Sequence, residues 1–307
     1  VLDSRCDPNI LDMPDEAFNM GPDDRLRHQG FFLYGKLRGI RMGWLSEGEG
    51  EAVVLLHSSM SSKVQWFSLM EELKQTHQVV AVDLYGYGDA PCVSDEQAGH
   101  FSLDDELSLI RRALAEHVPG DTPYHLVGHS YGGAVAMHLA LEMPERIRSI
   151  SLYEPMANHV VREIDDGLYE KQKTLMGSVI EEINRGNLKT GASMFVDFFS
   201  GEGLFDKLPA EVQELLAGCV RKMPLDYFAS AHKGLRMGRY GKLSAPTCLM
   251  AGRRSPDLSF EIARALSGVI PDVDYHLVDA GHMAPLTHGP KVNPIIAAHV
   301  RRHTCLN

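Results

Sequence analysis

A serine set among glycines is the first feature of this 307-residue chain that could do covalent chemistry. Gly128-His129-Ser130-Tyr131-Gly132-Gly133 fits G-x-S-x-G; an apolar run, Tyr124–Val127, precedes it and an Ala-rich stretch, Ala134–Met143, follows. A tight strand-to-helix turn exposes the serine hydroxyl, and small residues let the backbone close that turn. The N-terminus of the following helix favours developing negative charge. The competing reading is a glycine-rich turn with an idle serine, and the strand–turn–helix context argues against it.

A serine nucleophile needs a base, an acid to orient the base, and amides to hold an oxyanion. The chain has 15 His, so histidine alone means little. His282, in Asp279-Ala280-Gly281-His282-Met283, stands out because it follows the last strand-like run and lies C-terminal to Ser130. His57 and His129 read as loop-packing residues and His288 as a turn residue. For the acid, Glu154 ends the run Ile150–Tyr153, 24 residues past Ser130. That distance fits a helix, a turn and one strand back to the same edge. A glutamate buried there is costly without a partner; bonding to backbone amides is its structural alternative. Asp257 is the rival acid, with a turn or helix-start role as its alternative. Asp279 is too close to His282 in sequence to orient the ring, and Asp83 reads as a brace for the Tyr85–Asp89 loop. The loop His57-Ser58-Ser59-Met60-Ser61-Ser62 follows a buried run and can supply one amide, from Ser59, with Tyr131 supplying the other. Its serines could equally cap a helix through Trp66.

The elements that must hold these residues alternate. Strand-like runs fall at Ala52–Leu56, Val79–Val82, Tyr124–Val127, Ile150–Tyr153, Thr247–Ala251 and Tyr275–Val278, with Phe31–Leu33 and Ile40–Leu45 as a hairpin before them. Helical patterns lie between, including Ser102 with Asp105 as a capping box ahead of Leu103, Leu107, Ile110 and Leu114. Alternation of this kind predicts an α/β fold with a mostly parallel, doubly wound sheet. It breaks once: 156–243 is helical and rich in Met and aromatics, which predicts a helical cap. Residues 29–155 and 244–307 form the core, and the acidic, turn-rich 1–28 reads as an N-terminal arm.

With 30 Lys+Arg against 41 Asp+Glu, the net charge of −11 argues against nucleic acid and anionic membrane as partners. The longest aliphatic run, Ala52 to Leu56, is far below the ~20 residues of a membrane helix. Five scattered Cys without a C-x-x-C pair suggest neither zinc nor a disulfide framework, so a cytoplasmic setting is expected. The chain begins at Val1 and shows no apolar leader.

The segments "LLHSSMSS", "VAVDLYGYGDAP", "HLVGHSYGGAVAMHLAL", "SLYEP" and "AGHMAPLTHG" occur in the order of the α/β-hydrolase superfamily, and from about residue 30 to 303 the chain resembles its capped, esterase-like members. The resemblance implies a Ser–His–acid triad, no metal and no cofactor. Ser130 separates the chain from dehalogenases and epoxide hydrolases, which carry Asp there. Two positions depart from the common pattern: Ser58 stands where Gly usually follows the loop histidine, and Ser255 where many members carry the acid. Asp257 lies two residues late, behind Pro256, which favours Glu154. The reading is a serine hydrolase of esters, thioesters or lactones with an apolar portion. His57, Met60, Met156, Phe195, Phe198, Phe199 and Met283 are the candidate pocket residues. C–C hydrolysis, lyase chemistry or acyl transfer on the same triad is the enzymatic alternative, and a catalytically silent receptor the non-enzymatic one. A homodimer is left open.

Overall fold

The computed structural model describes residues 43–231 and 236–305. The expected arm, the Phe31–Leu33 strand and the start of Ile40–Leu45 lie outside them. Within them the first strand, β1, is Trp44–Glu47, and it pairs antiparallel with β3, Gln78–Val82. The remaining strands are β2 (Ala52–Leu56), β4 (Tyr124–His129), β5 (Ile147–Tyr153), β6 (Thr247–Gly252) and β7 (Val273–Val278). From β3 to β7 all neighbours are parallel, in the order β1-β3-β2-β4-β5-β6-β7.

Every residue of β2, β4 and β6 is buried. Sheets covered on both faces require such continuous apolar runs. The main core helices are α1 (Phe67–Leu73), α2 (Leu103–His117) and α3 (Tyr131–Glu142), with α8 (Asp257–Ser267) and α9 (Gly289–His303) near the C-terminus. Alternate residues of β2 feed opposite cores. Val54 and Leu56 pack with Leu107, Ile110, Val135, Leu139 and Ile262 of α2, α3 and α8. Val53 and Leu55 pack with Leu69, Val292, Ile296 and Val300 of α1 and α9. The sheet is thus doubly wound, as its period-two side-chain alternation dictates. At the start of α2, the Ser102 N–H donates to Asp105 Oδ2 at 2.9 Å, the expected capping interaction.

The strand order reverses between β2 and β4, the crevice where open α/β sheets place their ligand sites. The loop from His57 and the turn at Ser130 leave the carboxyl ends of those two strands. Between β5 and β6 the chain inserts helices α4 (Asp166–Asn184), α5 (Leu188–Ser200), α6 (Ala210–Cys219) and α7 (Met223–Ser230), with no strand among the described residues. Asn158 Nδ2 donates to Ser230 Oγ at 2.8 Å, closing the start of the insertion onto the end of α7. No helix among the described residues is long and apolar enough to cross a membrane.

Candidate active site

Ser130 sits between β4 and α3 at φ 52° and ψ −117°, a conformation L-residues rarely adopt. The glycines explain how the turn closes. A Cβ on Gly132 would lie 2.3 Å from the Leu56 carbonyl oxygen, and one on Gly128 would lie 2.6 Å from that of Gly132. The backbone pins the serine: its N–H donates to Tyr153 O at 3.1 Å, and its carbonyl accepts from the Met156 N–H at 2.8 Å.

His282 lies on the loop after β7. Its Nε2 is 3.2 Å from Ser130 Oγ, and its Nδ1 is 2.6 Å from Glu154 Oε2. A carboxylate only accepts, so Nδ1 carries the proton and the Nε2 lone pair faces the serine hydroxyl. Glu154 also stands at positive φ, 42°, just past β5. Its N–H donates to Met250 O at 2.9 Å, and its Oε1 accepts from the Gly252 N–H at 2.6 Å. One carboxylate oxygen is thereby fixed by backbone and the other is left for the imidazole. All three side chains are buried. Asp257, in contrast, is exposed in the first turn of α8, and Ser255 Oγ is buried without a hydrogen-bond partner.

Three residues that the sequence did not single out shape this arrangement. Tyr153 donates its hydroxyl to the Gly281 carbonyl at 2.9 Å, tethering the histidine loop to the end of β5. Ser259 Oγ stands 3.4 Å from His282 Nδ1. Gln65 Oε1 accepts from the Ser58 N–H at 3.3 Å and the Ser58 hydroxyl at 2.9 Å, and bonds His129 Nδ1 at 3.2 Å. It joins the loop after β2 to the turn after β4. The only sequence signal is its place in the segment that follows the loop.

Of the two expected readings of His57, loop packing and pocket lining, its surroundings fit the first. His57 is fully buried; its Nδ1 bonds Ser58 O at 2.7 Å, and its Nε2 accepts from the Leu84 N–H at 3.0 Å. With both nitrogens engaged by backbone it packs the loop and offers no surface to a ligand. Met60, at φ 56°, and Met156 are also buried. Phe199 of α5 lies against His282, ring centroids 4.7 Å apart, and meets Phe195 at a tilt and Phe198 edge-on, at 4.8 and 4.9 Å. Phe198 lines a cleft of about 290 Å³ together with Leu168, Pro256 and Leu258. Met283 is half-buried beside His282. Asp83 braces its loop, accepting from the Lys63 N–H at 2.7 Å and the Asp89 N–H at 2.9 Å, with Lys63 Nζ 2.5 Å away.

Burial pushes the His57 imidazole down to about 4 and that of His125, at the start of β4, down to about 3. Unfolded, both would take up protons near pH 6.5, so below that value the unfolded state binds more protons and stability falls with pH. At pH 5 each costs on the order of 1–2 kcal/mol. The expected result is a Tm several degrees lower at pH 5 than at pH 7.5 in thermal melts. An unchanged Tm would mean these rings protonate in the folded state without strain.

The alpha/beta hydrolase family profile matches residues 53–293. The chain belongs to that family. It is 27% identical to lipase LipV of Mycobacterium tuberculosis, over 81% of this chain and 92% of that protein. It is 29% identical to the dihydrolipoyllysine-residue acetyltransferase component of the acetoin cleaving system of Cupriavidus necator, over 51% of this chain but only 40% of that one. The chain therefore spans less than half the length of that relative. Among solved structures, a thermophilic esterase from Thermogutta terrifontis superposes with a TM-score of 0.66 at 21% identity, covering 85% of this chain and 93% of that one. This likeness concerns the fold.

Proposed function

We propose that the protein hydrolyses carboxylic esters, thioesters or lactones with an apolar portion, through an acyl-enzyme on Ser130. The observation that carries this reading is the unbroken hydrogen-bonded chain Ser130–His282–Glu154 beside a strained turn. His282 Nε2 takes the hydroxyl proton as Ser130 Oγ attacks the acyl carbon. Glu154 stabilises the imidazolium and holds its tautomer. The amides of Ser59 and Tyr131 receive the oxyanion; Tyr131 opens α3, where N–H groups lack intrahelical acceptors. His282 then returns the proton to the leaving group, and water repeats the sequence on the acyl-enzyme. A panel of p-nitrophenyl esters graded by chain length, run beside a fluorophosphonate probe, tests this. Turnover with labelling is expected; neither signal would leave the silent-receptor reading standing.

The helical insertion serves as a cap, and Phe195, Phe198 and Phe199 form the apolar wall beside the base. Phe199→Ala or Phe198→Ala should move the preferred acyl length by two or more carbons in folded protein. Loss of thermal stability with unchanged preference, measured as kcat/KM across the panel, would mean that these rings only pack the cap.

A further inference from the structure

Ser59 and Tyr131 carry the two amides assigned to the oxyanion, and the side chains of both end in one buried polar network. Ser59 Oγ donates to Asp226 Oδ2 at 2.5 Å. Tyr131 donates its hydroxyl to Glu106 Oε1 at 3.2 Å. Lys222 joins the two carboxylates: its ammonium donates to Glu106 Oε1 at 2.7 Å and to Asp226 Oδ1. Tyr87 donates to Asp226 Oδ2 at 2.6 Å, and the Tyr85 N–H to Glu106 Oε2 at 3.0 Å. The ammonium is enclosed by rings, with centroids 4.5 Å away for Tyr131, 4.7 Å for Phe101 and 5.2 Å for Tyr87. Asp226 and Glu106 are fully buried, and Lys222 and Ser59 nearly so.

We infer that Asp226, carried by the helical insertion, is a positioning residue that sets the Ser59 amide for the oxyanion through the Ser59 hydroxyl. This rests on the acyl-transfer reading above. Desolvating two carboxylates and an ammonium is expensive, and such groups add little stability over well-packed apolar side chains. What the network does provide is direction. Asp226 offers three of its acceptor positions to Ser59, Tyr87 and Lys222, so the Ser59 side chain has one anchored orientation, and its N–H follows. Lys222 and Glu106 extend the same restraint to Tyr131. The insertion thereby becomes part of the oxyanion machinery as well as a cover, and Ser59 Oγ is a support for the amide, with no proton transfer of its own.

Ser59→Ala removes the hydroxyl but keeps the amide, and Asp226→Asn keeps the shape but removes the charge. Both variants and their double are assayed with a p-nitrophenyl ester and with an aryl trifluoromethyl ketone as inhibitor. Ser130 Oγ adds to the ketone carbon, its proton moves to His282 Nε2, and the former carbonyl oxygen becomes the oxyanion in the hole. A misplaced donor should lower kcat ~10- to 100-fold with KM within about threefold. The ketone Ki should rise by the same factor as kcat falls. The double variant should match Asp226→Asn alone within about twofold, because both changes break one link. The inference is overturned if Ser59→Ala leaves kcat and Ki within about twofold of wild type, and this arm decides alone should Asp226→Asn fail to fold. It is also overturned if the two losses multiply in the double. Wild-type protein that neither turns over ester nor takes up fluorophosphonate overturns the acyl-transfer reading, and this inference with it.

Discussion

Ser130→Ala is expected to remove ester turnover and fluorophosphonate labelling together, while circular dichroism and Tm stay near wild type. Losing the nucleophile of a serine hydrolase costs up to ~10⁶ in kcat, because the remaining base and acid have nothing to activate. The fold should survive. The alanine keeps the Cβ that the strained turn already accommodates at φ 52°. The backbone bonds from the Ser130 N–H to Tyr153 and from the Met156 N–H to Ser130 are untouched. Only the 3.2 Å contact to His282 Nε2 disappears. Activity within about tenfold of wild type would remove Ser130 from the mechanism and point to a different nucleophile or to a contaminant.

Glu154→Gln should be the next most damaging change, with kcat lower by ~10⁴, the size seen when the triad acid of a serine protease becomes its amide. An amide nitrogen facing His282 Nδ1 would favour the wrong tautomer and could not stabilise the imidazolium. Gln keeps the carbonyl oxygen that can accept from the Gly252 N–H, now 2.6 Å from Oε1, so the end of β5 should hold. Asp257→Asn serves as the counter-test and should leave kcat within a few-fold of wild type, since that carboxylate is exposed in the first turn of α8. Assayed at one pH after confirming equal folding, a collapse for Asp257→Asn with Glu154→Gln nearly normal would reverse the assignment.

Much of this architecture is legible in residue order, for identifiable reasons. Strand β2 runs Ala52–Leu56, the bounds expected from an aliphatic run buried on both faces. Strand β5 begins three residues before its expected start. Its first three residues, Ile147-Arg148-Ser149, are one apolar and two polar; Ser149 is buried in the sheet, and Arg148 reaches out to Glu51 at 2.7 Å. Two polar residues in a row at the end of a helix–strand loop read as loop, because nothing in their types marks Ser149 as buried or Arg148 as paired.

The candidate site is legible only where it follows from strand ends. Ser130, Glu154 and His282 each lie just past a strand terminus, so topology alone draws them to one edge of the sheet. Residue order favours Glu154 over Asp257 without fixing the path of Gly252–Pro256, which depends on contacts made elsewhere. In the structure the Gly252 N–H faces Glu154, and the chain then runs outward to Asp257. The network of Ser59, Glu106, Lys222 and Asp226 was invisible for a different reason. Its links join residues 167 and 116 positions apart, and each member alone reads as a surface charge or a loop serine.

Acid-quenching the protein during turnover of a p-nitrophenyl ester and mapping the acylated peptide by mass spectrometry tests for the acyl-enzyme on Ser130. A single acyl adduct, one per chain, is expected on Ser130 within the peptide containing Gly128 to Gly133, with none in Ser130→Ala. Turnover without any adduct on Ser130, or with the adduct on another residue, would contradict it.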